Sequence, residues 1–109
     1  MGTLTYDNTI IEFDDRILAH LHIVIVQQFR RQESFAMSWM DSLSDGDGRS
    51  SIWLHPTGDI FFRFAGSRPP AIDAAWIKRL SDSAQSSHGL VVVMEDGRLA
   101  RSTSERRRM

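Results

Sequence analysis

The chain has 109 residues, of which 41% are hydrophobic and 25% charged, with a formal net charge of −1, and this composition fits one ordinary globular domain. The absence of cysteine excludes a disulfide scaffold, a thiolate nucleophile and a cysteine-rich zinc site. No segment resembles a signal peptide, and apolar runs such as Ile23–Val26 are far too short to cross a bilayer, so we expect a cytoplasmic protein without a membrane partner.

A hairpin and a helix are predicted at the start of the chain. Apolar segments flank an Asp-Asn pair, and both residues tolerate positive φ, which predicts a two-residue turn at residues 7–8. This register pairs Leu4 with Ile11 on one side of the ribbon. Two aspartates then precede an apolar stripe at helical spacing, which predicts a helix over about residues 16–32.

Three strands are predicted in the middle of the chain. Alternating side chains predict a strand over residues 34–40. A polar, glycine-rich loop at residues 43–48 separates it from a second strand over about 50–55. A turn at 56–59 leads to a third strand over 60–64, and we predict that the last two strands form a hairpin.

A second helix and a final strand complete the predicted order. Two prolines precede a helical stripe over about residues 71–86, and Gly89 suits the end of that helix. The apolar segment 90–94 predicts a buried strand. The order ββαβββαβ predicts an α+β fold with a mainly antiparallel sheet and two helices on one face.

The charge is unevenly distributed along the chain. Residues 97–109 contain five arginines and one acid, whereas residues 1–96 contain 8 basic and 13 acidic residues. From Gly97 onward the sequence has no apolar rhythm. We therefore predict a single α+β domain over residues 1–96 and a basic, disordered C-terminal tail over residues 97–109.

The predicted hairpin over residues 50–64 is apolar on both faces, whereas a strand with one solvent-exposed face should alternate apolar and polar residues. If Ile60 and Phe62 face the helices, Phe61 and Arg63 point the other way. A domain of this size buries only somewhat more than ~60% of its unfolded surface. It cannot easily bury both faces of the sheet by itself.

The register of this hairpin decides which residues of the preceding strand share the second face. A four-residue turn directs Ile52 and Leu54 outward, and a five-residue turn directs Trp53 outward, because a one-residue slip exchanges the faces. Six residues are therefore candidates for contacts with a partner or ligand: Phe61, Arg63, Trp53, Ile52, Leu54 and Arg49.

The sequence leaves three alternatives for what covers the second face of the sheet. They are the chain's own segments (the ribbon at residues 3–13 or the final strand), a second copy, and a ligand or nucleic acid. Our first hypothesis is a non-enzymatic interaction module that forms a homodimer through this face, since large exposed apolar patches usually mark interfaces. The alternative is a nucleic-acid-binding module, because aromatic and arginine side chains suit stacking on bases, although the acidic body opposes it.

The sequence contains no complete motif for catalysis, metal binding or nucleotide binding. Residues 45–48 resemble a piece of a calcium loop, but the alignment places leucines at its first and last ligand positions. His20 and His22 point to different faces of the predicted helix and lack a third ligand. Neither phosphate-binding loop nor a nucleophile elbow occurs. We assign no catalytic residue, no metal and no cofactor.

Several short segments carry a resemblance that covers about residues 1–95. They are Asp14-Asp15-Arg16, Leu18-Ala19-His20-Leu21, Arg30-Arg31-Gln32-Glu33-Ser34-Phe35, Ser38-Trp39, Gly48-Arg49, Ile52-Trp53-Leu54-His55-Pro56, Arg68-Pro69-Pro70, Trp76-Ile77, Ser83-Ala84, Ser86-Ser87 and Gly89-Leu90. Together they resemble a family of small, uncharacterised actinobacterial proteins. The resemblance implies no catalytic residues.

Members of that family are often labelled ATP-dependent DNA ligase, and this chain lacks the residues for that reaction. Such a ligase forms a covalent adenylate on a lysine within Lys-x-Asp-Gly. The single lysine, Lys78, stands in Lys78-Arg79-Leu80-Ser81 inside the second predicted helix. We expect no ligase activity, and an accessory role in DNA transactions belongs to the nucleic-acid alternative.

Overall fold

A computed structural model of the chain describes residues 1–106, and within that range it contains seven strands and two α-helices. The strands are β1 (Gly2–Tyr6), β2 (Thr9–Phe13), β3 (Phe35–Asp41), β4 (Arg49–Leu54), β5 (Ile60–Arg63), β6 (Leu90–Val91) and β7 (Arg101–Arg106). The helices are α1 (Asp15–Arg30) and α2 (Ala74–Ala84). The predicted α+β class and the order ββαβββαβ are confirmed, and β7 follows as one more strand. Neither of these helices is long and apolar enough to cross a membrane.

All seven strands form one open, mostly antiparallel sheet. Its order is β4-β3-β7-β2-β1-β5, with β6 beside β3. Both β6 and β7 run parallel to β3. The start of β7 pairs with β3 and the rest pairs with β2, so this strand joins the two halves of the sheet. The edges of the sheet are β4 and β5.

The first two strands form the predicted hairpin. Leu4 pairs with Ile11, and Gly2 pairs with Phe13. Asp7, in the turn, has a φ of 50°, a left-handed conformation that aspartate adopts more readily than most residues. The turn chemistry therefore predicted the register correctly.

One hydrophobic core lies between the helices and the inner face of the sheet, which is the face that the helices cover. The helix α1 contributes Leu18, Leu21 and Ile25 to this core, and α2 contributes Trp76 and Leu80. The stripe of long apolar residues in α1 outweighs the low helix propensity of its β-branched run. Both helices lie on one side of the sheet, so within residues 1–106 no helix covers its outer face.

The predicted hairpin between β4 and β5 is wrong. The strand β4 pairs with β3, and β5 pairs with β1, so these strands lie at opposite edges. Residues 55–59 connect the two edges. The hydroxyl of Tyr6 accepts a hydrogen bond from the N–H of His55 at 3.0 Å, and Gly58 leaves no space between its Cα and the Tyr6 ring for a side chain. Nearness in sequence favoured a hairpin, but β4 pairs with β3 at six positions and β5 pairs with β1 at four, which satisfies more backbone groups than a hairpin of β4 with the four-residue β5.

The predicted disordered tail is wrong for residues 97–106. Leu99 bridges back to Val93, and the strand β7 follows. The inward-facing positions of β7 include Ser102, which is buried although it is polar. Serine at core-facing positions explains why this segment shows no apolar rhythm. Residues 107–109 of the predicted tail lie outside the described residues.

Candidate functional site

The outer face of β5, β1, β2 and β7 presents two rows of side chains. The strand registers align Phe61, Thr5, Ile10 and Glu105 in one row, and Arg63, Thr3, Glu12 and Thr103 in the other. We call these eight side chains the outer patch. It combines two apolar residues with one cation, two carboxylates and three threonines.

Phe61 is the most exposed apolar side chain of the outer patch, with 53% of its surface accessible. The guanidinium carbon of Arg63 lies 5.3 Å from the centre of its ring, within the range of a cation–π interaction. The β1–β2 hairpin lies beside β5 in the sheet, and β6 pairs with β3, so neither covers this face. The alternative in which the ribbon or the final predicted strand covers Phe61 is therefore wrong.

The other four candidate residues lie on β4, at the opposite edge. Trp53 is 61% exposed on the outer face, and Arg49 is exposed on the same side. Ile52 is half-buried on the inner face, and Leu54 is fully buried in the core. Leu54 is thus a core residue, and its assignment as a contact residue is corrected. No strand pairing links β4 with β5, so Trp53 is not part of the outer patch.

Every second residue of β4 leaves its backbone unpaired. In antiparallel strands, residues that bond to the partner alternate with residues that do not. The N–H of Asp41 donates to the C=O of Gly48 at 2.9 Å, which continues the register between β3 and β4. The even-numbered residues of β4 therefore bond to β3. The N–H and C=O groups of Arg49, Ser51 and Trp53 point to the open edge.

A cleft of about 600 Å³ runs along this open edge, and we call it the edge cleft. Its inner lining includes Trp39, Ser50 and Ile52 on one wall and Tyr6, Ser104 and Arg106 on the other. Ser51 and Trp53 also line it. Their side chains point to the outer face, so their backbone edge accounts for this contact. The edge cleft thus lies directly beside unpaired hydrogen-bonding groups.

Trp39 lines the edge cleft and carries a buried, unsatisfied donor. This side chain is only 4% exposed, and its ring packs edge-to-face against Phe13 with centroids 6.3 Å apart. Within the described part of the chain, its buried Nε1–H has no hydrogen-bond partner. Such a buried orphan costs about 1–3 kcal/mol.

The opposite edge, β5, leaves less backbone open. The N–H of Asp7 donates to the C=O of Asp59 at 2.9 Å, which continues the register between β1 and β5. By the same alternation, only Ile60 and Phe62 direct their backbone groups to the open edge. The side chains of both residues face inward and are partly buried against the core.

The segment after β5 is fixed to the first turn of α1. The carboxylate of Asp15 accepts hydrogen bonds from the N–H of Ala65 at 3.0 Å and from the N–H of Gly66 at 2.8 Å. These hydrogen bonds, that of Gly66 first, lower the pKa of Asp15 because they favour its charged form. The anchored carboxylate holds the end of β5 against the helix.

A buried histidine joins the two helices. His20 is fully buried and stacks on Trp76 with ring centroids 4.0 Å apart. Its Nε2 accepts from the N–H of Asp73 at 2.9 Å, so the Nδ1–H is free to donate to the C=O of Arg16 at 2.7 Å. Both ring nitrogens are satisfied in the neutral state. The arrangement is a structural link and not a catalytic base.

The nearby ion pair has the same role. The guanidinium of Arg16 donates two hydrogen bonds to the carboxylate of Glu95, at 2.6 and 2.8 Å. The hydrogen bond with Glu95 raises the pKa of Arg16 further. This pair ties α1 to the segment that follows β6, and its groups are occupied by each other.

The edge cleft could not be inferred from the sequence. It needs β7, which the sequence predicts as part of a tail, and it needs β4 at an edge rather than in a hairpin. The sequence did contain one signal. Trp39 stands on the apolar side of the predicted strand over residues 34–40, and that side faces the core as expected.

Comparison with known proteins gives one finding about the family of this chain. A family profile described as a domain of unknown function, DUF7882, matches residues 1–95. The matched range ends before β7. No curated protein and no solved structure matches the chain. The expectation that this range belongs to an uncharacterised family is thereby confirmed.

Proposed function

We propose that this chain, which belongs to the DUF7882 family of domains of unknown function, is a non-enzymatic interaction module that forms a homodimer through the outer patch. The proposal includes the cytoplasmic location and the actinobacterial source expected from the sequence. The observation that carries it is the exposed ring of Phe61 on a sheet face that no helix covers.

Association would bury this ring in both copies at once. Full burial of an aromatic side chain contributes roughly 1.5–3 kcal/mol relative to exposure. A two-fold dimer uses the same patch on both subunits, so each favourable contact occurs twice. A small domain of marginal stability gains most from such a contact.

The outer patch is complementary to itself in charge and in apolar character. A two-fold axis along β1, in the plane of the interface, exchanges β5 of one copy with β2 of the other and keeps the two rows in line. It places Arg63 over Glu12 of the second copy, and Phe61 over Ile10 of the second copy. Opposite charges and apolar groups thus meet in matched positions.

Measuring the mass in solution tests the homodimer. We expect light scattering to give about twice the chain mass of 12.4 kDa for the unmodified protein, and the chain mass for Phe61→Glu. Trp53→Glu is the matched control, because Trp53 is an exposed aromatic residue at the opposite edge and should stay dimeric. An unmodified protein that remains monomeric at the highest attainable concentration contradicts the proposal.

A charge exchange tests the two-fold arrangement. Arg63→Glu and Glu12→Arg should each weaken the dimer, because each variant opposes like charges. The double variant should restore the dimer, because the pair is re-formed with its charges reversed. If Phe61→Glu yields monomers but the double variant does not recover, the outer patch is the interface and the axis along β1 is wrong.

Nucleic-acid binding is the second candidate function, favoured by the exposed pairing of Phe61 with Arg63. Two arginines of the basic segment 97–109 are bound to carboxylates: Arg98 to Asp96, and Arg101 to Asp47. Single-stranded DNA at low salt tests this candidate. Binding that falls steeply with salt and is lost in Phe61→Ala supports it. Deleting residues 97–109 would remove β7 and so tests stability instead.

A further inference from the structure

We propose that the edge cleft binds an extended peptide segment with an acidic side chain, which adds to the sheet as a strand beside β4. This site is separate from the outer patch and does not depend on the homodimer. It rests on the backbone of β4, on the shape of the cleft and on its charge.

The open backbone of β4 determines the kind of occupant. Arg49, Ser51 and Trp53 each present an N–H donor and a C=O acceptor at two-residue intervals along the open edge. Only another extended main chain offers donors and acceptors with the same spacing. Strand addition of this kind is a common mode of peptide recognition.

The edge cleft gives space for alternate side chains of the added strand. Side chains on one side of that strand would enter the cleft, between Trp39 and Ile52 on one wall and Ser104 on the other. Those on the other side would lie on the outer face beside Trp53.

The charge near the cleft favours an acidic peptide. Arg106 stands on the far wall, and Arg49 begins the open edge. In the part of the chain that the structure describes, neither guanidinium has a carboxylate within 4.0 Å. The one carboxylate among the described lining residues, that of Asp7, accepts the N–H of Asp59 at 3.3 Å in the turn between β1 and β2 and keeps its charge, so the attraction for an acidic peptide comes from Arg106 and Arg49.

Natural edge strands are usually protected from pairing, and β4 lacks that protection. Proline, central lysine, inward-pointing charge and short length are the common devices. The strand β4 reads RSSIWL and extends over six residues, with its single charge at the first position. An unprotected edge beside a cleft supports the proposal that a peptide strand pairs with β4.

Selection from a phage library of random short peptides tests the proposal. We expect enriched peptides that carry an acidic residue and bind the purified protein in solution. Ser51→Pro should weaken their binding about tenfold or more, because it removes one N–H and blocks approach at the open edge. Proline is tolerated on edge strands when the lost N–H is outside the ladder. Ser51→Ala, which removes only the hydroxyl, should bind like the unmodified protein.

A second measurement does not depend on the folding of the proline variant. In the unmodified protein, the amide protons of Ser51 and Trp53 should exchange rapidly and become protected when an enriched peptide binds. Arg106→Gln should reduce both the affinity and its salt dependence. A library that yields no binder, or a binder that leaves those two amides unprotected, overturns the proposal. A binder indifferent to Arg106→Gln overturns the preference for acidic peptides.

Discussion

The two edges of the sheet present different parts of the chain to a partner. The edge strand β5 has four residues, and its following segment is held by Asp15. It offers a side chain, Phe61, on the outer face. The edge strand β4 has six residues, and it offers backbone groups along a cleft. Under the two proposals, one small sheet carries two kinds of contact: a side-chain contact on the face of the short, anchored β5, and a backbone contact along the longer β4.

The largest expected difference in stability is between a buried and an exposed residue of the same strand, β4. Leu54→Ala should lower the free energy of unfolding by about 2–5 kcal/mol, since the residue is fully buried and its truncation leaves a cavity. Trp53→Ala should change it by no more than roughly 0.5 kcal/mol, since that side chain is mostly exposed. Urea denaturation measures both values. Equal losses would mean that the inward and outward faces of β4 are wrongly assigned.

A smaller effect is expected where the two edges are connected. A Cβ added at Gly58 would overlap the ring and hydroxyl of Tyr6, so Gly58→Ala should displace the turn and cost about 1–3 kcal/mol. Gly48→Ala is the control, because its added Cβ meets only the Asp41 carboxylate at 3.4 Å. Thermal denaturation compares the two variants. If Gly58→Ala is as stable as Gly48→Ala, the turn is not packed on Tyr6.

The smallest expected effect concerns the anchor of β5 and depends on pH. Hydrogen bonds from Gly66 and Ala65 lower the pKa of Asp15 in the folded state. The stabilisation that they bring is therefore present at pH values above the usual pKa of an aspartate. It is lost as pH falls through the lowered folded pKa. Asp15→Asn should reduce the melting temperature slightly at neutral pH and flatten its decline in acid.

The neighbouring residue provides the control for this anchor. Asp14 stands at the N-cap of α1, but its side chain makes no capping hydrogen bond. Asp14→Asn should therefore leave the acid-dependent decline of the melting temperature unchanged. If both variants flatten the decline equally, the effect comes from the charge at the helix terminus and not from the bonds that hold the end of β5.

Local patterns in the sequence predicted local structure well. The Asp-Asn pair at residues 7–8 gave the first hairpin with its register, and the apolar stripe of α1 gave the helix despite the β-branched run at Ile23–Val26. Alternation gave the outward direction of Phe61 and Arg63. These features depend on residues a few positions apart, for which side-chain periodicity and turn chemistry are strong signals.

Pairings between distant segments could not be predicted in the same way. The partner of β4 depends on whether β3 or β5 offers the better match, and nothing near Leu54 in the sequence records that choice. The strand β7 was missed because Ser102 and Ser104 occupy its inward positions, where a strand pattern needs apolar residues. The edge cleft depends on both pairings, so the sequence named Ile52 and Trp53 as contact candidates but could not place them beside Ser104 and Arg106.

The position of β7 also affects how the chain reaches its native state. This strand pairs Arg101 with Met40 and Arg106 with Thr9, residues far apart in the chain, and these contacts unite the halves of the sheet. Folds dominated by non-local pairing tend to form slowly. During synthesis, β2 and β3 emerge well before β7, the strand that lies between them. Their backbone edges on that side stay unpaired and prone to aggregation until residues 101–106 have left the ribosome.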